Sequence, residues 1–236
     1  MSNIRLYYPN SIVENTTSLL SKEHTHYVAN VMRLKRGSNI NFFNKGGEWV
    51  SEIVFLEKDR IEVKFLNRLK KSVQTSSMEL AICLVKKNPM EIILQKATEL
   101  GVVKITPIIS ERTEVKELNL ERAKKIVIEA TEQSNQLSPP EISKITKLKD
   151  FDNNLNETTK LFFADINSKD KLKKEDIKGD NLKTILIGPE GEFTPNERKM
   201  ILENKNTISF SLSKNILKTE TATISALSLV SYSYDL

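Results

Sequence analysis

Cysteine occurs once in the 236 residues and histidine twice. The lone Cys83, inside the apolar run Leu80–Val85, has no partner for an internal disulfide and fits a reducing compartment. As a small apolar side chain in such a run it reads as a core residue. His24 and His26 are the only histidines, and no Cys/His cluster has metal-ligand spacing, so no metal site is expected. Long hydrophobic runs are also missing: none approaches the ~20 residues of a membrane-spanning helix. The opening, Met1 to Pro9, lacks the apolar core of a secretory signal and reaches strand-like sequence almost at once. These absences lead us to expect a cytoplasmic chain without a membrane partner. Walker A is absent, and nothing repeats at a period of roughly 20 to 50 residues.

What is present is ordinary in amount and uneven in placement. Hydrophobic residues make up 39% and charged residues 28%, the balance of a globular chain of one large domain or two modest ones. Residues 1–72 hold 12 Lys and Arg against 7 Asp and Glu, while the remainder balances at 24 against 24. The whole excess of +5 therefore lies in the N-terminal third. A basic module joined to a neutral one is the charge layout of a polyanion-docking domain beside a catalytic domain, and equally of a lysine-rich solvated surface.

Residues 4–70 read as a small β-rich unit. Asn39–Asn44, Glu48–Leu56 and Arg60–Leu66 are strand-like, with turn signals at Lys45–Gly47 and Glu57–Asp59. A helical segment precedes them, with Val28, Val31 and Met32 on one face. Short strands closing on themselves predict a small barrel. The polar, aperiodic stretch 67–78 marks the domain boundary, giving domains at 1–72 and 73–236. From Glu79 onward strands and helices alternate, the pattern of an α/β domain with a mainly parallel sheet. Asn88 to Glu91 reads as a capping box with proline inside the helix start, and Met90, Ile93, Leu94 and Ala97 as its buried stripe. Asn119–Ser134 predicts a second helix, Leu161–Ala164 a buried strand, and the mixed-charge run 168–180 a solvated loop or irregular helix.

Two stretches near the C-terminus organise the rest. Ile185–Ile187 is an apolar strand broken by Gly188-Pro189-Glu190-Gly191, after which Thr194, Pro195 and Glu197 spell a helix cap, first turn and capping box. Ile208, Phe210 and Leu212 alternate with polar residues as a half-buried strand, and Ile224, Leu227 and Val230 then recur at helical spacing, with Thr219 or Thr221 as the cap. Each is a strand, loop and helix start, the geometry in which bare backbone N–H groups make a ligand cradle.

At Ile187-Gly-Pro-Glu-Gly191 and Leu217-Lys-Thr-Glu-Thr-Ala222 the chain resembles the bacterial 16S rRNA uridine-N3 methyltransferases of the RsmE type, within the SPOUT superfamily. Arg5–Pro9, Gln95–Val102, Ser110–Thr113 and Glu129–Ser134 resemble further motifs of that family in the same order, so the likeness runs along nearly the whole chain. The resemblance implies a SPOUT-type parallel sheet with a C-terminal trefoil knot, preceded by a PUA-like β-barrel, working as a homodimer. The dinucleotide fingerprint Gly-x-Gly-x-x-Gly is absent after the first α/β strand, which argues against a Rossmann-type methyltransferase.

The same resemblance implies S-adenosylmethionine as methyl donor and 16S rRNA of the small ribosomal subunit as acceptor. Ile187, Gly188, Pro189, Glu190 and Gly191 would form one cofactor loop, with Leu212, Ser213, Ile216, Leu217 and Thr221 lining the other. Lys218 would stabilise the uracil anion, Glu220 would accept its proton or orient Lys218, and Arg112 would contact the RNA or its reacting base. Arg33, Lys35 and Arg36, with Arg5, form the basic set expected against RNA phosphates. The apolar helix Ala222–Tyr234 is the expected dimer surface. The chain departs from the family at Glu192, where a second glycine is usual, and at Gln136, Asn215 and Lys218, where arginine is common. Two other functions are open to such a chain: methylation of a different RNA or atom, and RNA binding without catalysis.

Overall fold

The computed structural model describes residues 4–71, 78–179 and 182–232. The chain divides into two compact units, one of Met1–Gln74 with Thr131–Ser138, the other of Thr75–Ala130 with Pro139–Leu236. The proposed boundary segment lies partly outside the described residues, at 72–77. Its first residues, 67–71, continue a strand instead of forming a linker.

In the first unit, β1 (Arg5–Tyr7), β2 (Thr17–Leu19), β3 (Asn39–Asn44), β4 (Gly47–Glu57) and β5 (Arg60–Lys71) form a sheet in the order β1-β3-β4-β5-β2. The ladder is open between β1 and β2. A 2.6 Å bond between the Tyr8 and Ser18 hydroxyls bridges that gap in place of strand pairing. Alternation along the strands sends Ile40, Phe42, Ile61, Val63 and Phe65 to one core, where Tyr8, Phe42 and Phe65 meet edge to face. At the β3–β4 hairpin a Cβ on Gly47 would lie 2.1 Å from the Lys70 carbonyl, and its φ is +139°, so this position requires glycine.

Helix α1 (Lys22–His26), capped by the Ser21 hydroxyl, runs directly into a π-helical turn at Tyr27–Val31. That wider turn rotates the following side chains out of the expected face. Val28 is buried, whereas Val31 and Met32, expected beside it, are exposed.

The second unit is built on a parallel sheet. Its strands are β6 (Met78–Cys83), β7 (Lys104–Ile109), β8 (Glu141–Ile142), β9 (Thr146–Lys147), β10 (Lys160–Ala164), β11 (Lys183–Ile187) and β12 (Thr207–Phe210). The order is β12-β10-β11-β6-β7-β8, with β9 also on β7. Helices α2 (Lys87–Glu99), α3 (Leu120–Gln133), α4 (Leu148–Asn153), α5 (Lys174–Ile177), α6 (Pro195–Glu203) and α7 (Thr219–Tyr232) connect or flank them.

Side-chain alternation feeds two cores, one per sheet face. Leu80, Ile82, Phe162, Ile185 and Ile187 join α2, α3 and α7, while Ala81, Cys83, Leu161, Phe163 and Leu186 join α4 and α6. Cys83 is a core residue, and burial pushes its thiol up to about 12.

Two helix starts differ from the expected ones. α2 begins at Lys87 with Lys86 as its cap residue, so Asn88 and Pro89 sit inside the first turn and Asn88 caps nothing. Proline is tolerated there because first-turn N–H groups have no intrahelical acceptor. α7 begins at Thr219: the Lys218 carbonyl already accepts from Ala222 N–H at 2.8 Å, which makes Lys218, and neither Thr219 nor Thr221, the cap residue. Residues 233 and 234 of the expected helix lie outside the described residues.

Candidate functional site

Three loops leave the C-terminal ends of the neighbouring parallel strands β12, β10 and β11 and enclose a cavity of about 310 Å³. In open α/β sheets ligands bind in the crevice outside the carboxyl ends of the strands. The first expected cofactor loop was Ile187 to Gly191, and Glu192 and Phe193 follow it. Of these, Ile187, Gly188, Pro189, Glu190, Glu192 and Phe193 line the cavity, and Gly191 does not. From the second stretch Leu212, Ser213, Ile216, Leu217 and Lys218 line it, whereas Thr221 is exposed on α7 away from the wall.

The first loop is braced from several sides. Thr194 and Glu197 form the capping box of α6, with bonds of 3.3 Å from Glu197 N–H to the Thr194 hydroxyl and 2.9 Å from Thr194 N–H to Glu197 Oε2. The other carboxylate oxygen of Glu197 accepts from Glu111 N–H at 2.8 Å, so one buried side chain joins α6 to the loop after β7. On that loop Ser110 and Thr113 bond each other at 2.8 Å, and Arg112 Nη1 donates to the Gly191 carbonyl at 3.0 Å. Arg112 therefore props the loop after β11 from outside and is not part of the cavity wall. It bonds neither Glu111 nor Glu114.

Inside the cavity, a Cβ at Gly188 would come within 3.1 Å of the Phe193 ring, so glycine here keeps the strand end bare. Glu192 closes the turn with an N–H bond of 3.0 Å to the Pro189 carbonyl and holds φ at +59°, the left-handed region that glycine prefers. Glutamate thus holds a backbone conformation here that glycine would adopt at lower cost.

The second loop is held more lightly. Ser211 Oγ donates to the Ser213 carbonyl at 3.2 Å, and Asn215 N–H donates to Ser213 Oγ at 3.0 Å. Ser211 also accepts from Lys171 Nζ and donates its N–H to the Asp170 carbonyl. Ile216 is 85% exposed and Lys218 is exposed at the cavity rim. Glu220 lies half-buried in the first turn of α7, off the cavity wall, where a carboxylate is favoured by the helix N-terminus.

The third wall was not expected from sequence. Asp165, at the end of β10, has a side chain only 2% exposed and takes Arg198 Nε and Nη2 on one oxygen at 3.0 and 2.7 Å, together with the Ser209 hydroxyl at 3.1 Å. Its other oxygen accepts from Asn167 N–H. The hydrogen bond to Asp165 pushes the Arg198 guanidinium above its usual value. The available signal was position: Asp165 is the first polar residue after a buried parallel strand. Nothing in the spacing tied it to Arg198.

In the first unit Arg33, Lys35 and Arg36 are exposed on the segment that follows the π turn, with Arg33 at φ +51° and Gly37 at +85°. Arg5 is different. It pairs with Glu48 at 3.2 Å, donates to the carbonyls of Glu132 and Gln136 at 3.0 Å each, and lies over the Phe43 ring at 4.4 Å. With a side chain only 10% exposed it fastens residues 131–138 to β1, which corrects the expectation of an RNA contact.

The chain matches the RNA methyltransferase domain family over residues 72–231 and the RNA methyltransferase PUA domain family over residues 20–66. It is similar to ribosomal RNA small subunit methyltransferase E of Rickettsia conorii, 37% identical over 235 residues, with 96% of this chain and 94% of the relative covered. The protein of that name from Aquifex aeolicus is 30% identical, covering 96% and 99%. Among solved structures, a ribosomal RNA small subunit methyltransferase E from Neisseria gonorrhoeae bound to S-adenosyl methionine gives a TM-score of 0.86 at 30% identity, covering 96% of both chains. A methyltransferase from Legionella pneumophila, also holding that cofactor, gives 0.84 at 29%, covering 98% and 97%. Two domain families matched in order, and identity carried along almost the whole length, show that the chain belongs to the ribosomal RNA small subunit methyltransferase E family.

Proposed function

We propose that the protein methylates N3 of a specific uridine in 16S rRNA of the small ribosomal subunit, with S-adenosylmethionine as donor. The observation that carries this reading is the convergence of three parallel strand ends on one cavity with an exposed lysine, Lys218, at its rim. The residues present fit the cofactor. Ile187, Leu212 and Leu217 offer apolar walls to a planar base, and Gly188 leaves backbone groups open to its polar edge. When bound, the cofactor supplies an electrophilic methyl group on a sulfonium.

The work left to the chain is positional and electrostatic. Uridine N3 carries a weakly acidic imide proton, and its loss places negative charge on the ring. Lys218 is the cation at the rim that can meet that charge, while Glu220, off the wall, serves the helix N-terminus and the proton leaves to water. Arg112 acts through the Gly191 carbonyl by holding the cofactor loop.

The reading includes a trefoil knot, a homodimer and a cytoplasmic location. For the knot, the exit of β12 is bonded to residues 168–171 through Ser209 and Ser211, and α7 then packs on α2 and β11, beyond β10. For the homodimer, α7 keeps Leu229 and Tyr232 exposed beside its buried stripe. For the location, no helix among the described residues is long and apolar enough to cross a membrane.

The test is incubation with methyl-labelled S-adenosylmethionine and small subunits lacking the modification, then nucleoside chromatography. Label in 3-methyluridine is the expected result. Label in another nucleoside would replace the acceptor, and no label with no cofactor binding would leave an RNA-binding protein without catalysis.

A further inference from the structure

The first unit contains an open groove of about 770 Å³ at the tip of the β3–β4 hairpin, at the far end of β3 from the Arg33–Arg36 segment. One wall is the segment 9–14, the other is the hairpin with the end of β5. Asn44 fixes the two walls together, donating to the Asn10 carbonyl at 2.6 Å and accepting from Gly46 N–H at 2.8 Å. The groove is thus a built feature of the chain, held by side-chain bonds at its base.

Its lining combines flat apolar surface with cations. Tyr7 and Pro9 supply the first, Lys45 and Arg68 the second, and Trp49 lies beneath Arg68. Trp49 is 6% exposed because the Arg68 guanidinium lies over its ring at 5.5 Å and Gly46 covers its edge. Strand pairing sets Arg68 beside Trp49 and Lys71 beside Gly47, both exposed, so the cations gather at the hairpin tip. The nearby Glu48 is buried and already paired with Arg5 and Lys70, leaving Glu14 as the acid in the lining.

We propose that this groove is a second RNA-contacting surface of the first unit, taking a single-stranded segment with its phosphates on Lys45, Arg68 and Lys71 and a base against the Tyr7 and Pro9 side, next to the Arg68-covered Trp49. Cations alone would fit any polyanion; the aromatic and proline surface between them is what favours unpaired nucleotides, whose bases need a flat partner. The inference rests on the reading that the protein acts on rRNA, and it adds a location that the basic segment at Arg33, Lys35 and Arg36 does not supply.

The chain has a single tryptophan, so its fluorescence reports this groove and no other place. Titration of the full chain with a short single-stranded oligouridylate is expected to change Trp49 emission saturably. The midpoint should weaken by roughly tenfold in Lys45→Glu/Lys71→Glu, a variant that leaves the ring's neighbours intact, with the salt slope falling by about one per cation removed. Arg33→Glu/Lys35→Glu/Arg36→Glu should leave the emission change in place. Filter retention of labelled RNA, run in parallel, separates the two levels of claim. RNA retained by the wild type with unaltered Trp49 emission, and retained equally by the hairpin variant, overturns the groove while the rRNA reading stands. No RNA retained by the wild type overturns both. An emission change as large with polyglutamate as with oligouridylate would make the groove an acidic-peptide site and overturn the RNA assignment.

Discussion

The two loops that face each other across the cavity are held in opposite ways. Residues 188–193 are tied from outside by Arg112, by the Glu197 capping box and by the Phe193 ring, which packs on Phe163 at 5.6 Å. Residues 211–218 carry bonds to their own serines and to residues 170–171, and leave Ile216 and Lys218 in the open. A wall that recognises a cofactor gains from being preorganised, because ordering it during binding would cost affinity. In the proposed mechanism a lysine that meets charge forming on an incoming base needs access instead. On the proposed reading the braced loop serves the cofactor, while the lighter loop shares that wall through Leu212 and Leu217 and leaves Lys218 open for transfer.

The sharpest way to break this division is Lys218→Ala. It should slow single-turnover methyl transfer roughly 100- to 1000-fold, the usual cost of removing one donor to a developing anion, while cofactor affinity measured by calorimetry stays within about threefold. Loss of affinity with the rate retained would reverse the two loops' roles. Next in size, Glu197→Ala removes both the α6 capping box and the acceptor for Glu111 N–H. Thermal or denaturant unfolding should show a loss of about 2 to 3 kcal/mol.

A smaller effect is expected at Arg112→Ala, which frees the Gly191 carbonyl on an exposed surface. Cofactor binding should weaken roughly three- to tenfold with the unfolding midpoint almost unmoved. A larger fall in transfer rate than in cofactor affinity would give Arg112 a direct part in the chemistry. The smallest expected change runs in the favourable direction. Glu192→Gly relieves a left-handed backbone conformation and should raise stability by about 1 kcal/mol, read in the same unfolding experiment. If stability falls instead, the Glu192 side chain contributes more to the turn than its backbone costs.

The braced loop was also the more legible one. Thr194, Pro195 and Glu197 announce a helix start through local chemistry alone, and the structure places the cap where those residue types require it. The start of α7 was read one residue late or more because Thr219 and Thr221 look like caps, yet the loop geometry hands that position to Lys218. Local signals failed again at Asn88, where the chain enters α2 early, and at Val31 and Met32, where a π turn breaks the 3.6-residue phase.

Long-range partners were invisible for a plain reason. The bonds of Arg5 to Glu48 and to residues 132 and 136, and of Asp165 to Arg198, span from 33 to 131 residues with no spacing rule to reveal them. Arg5 looked like a surface cation in a basic module and is instead a half-buried fastener. The strands themselves were readable, since period-two alternation at Ile40 and Phe42, and continuous apolar runs at Leu80 and Ile185, report burial directly.

The most direct single measurement is reverse transcription across 16S rRNA taken from small subunits before and after treatment with the protein and S-adenosylmethionine. A methyl group on N3 occupies the pairing edge of uracil and blocks the copying enzyme. One new stop at a single uridine, dependent on the cofactor, is the expected result. Methyl incorporation into the RNA without any new stop would place the group on another atom and contradict the assignment.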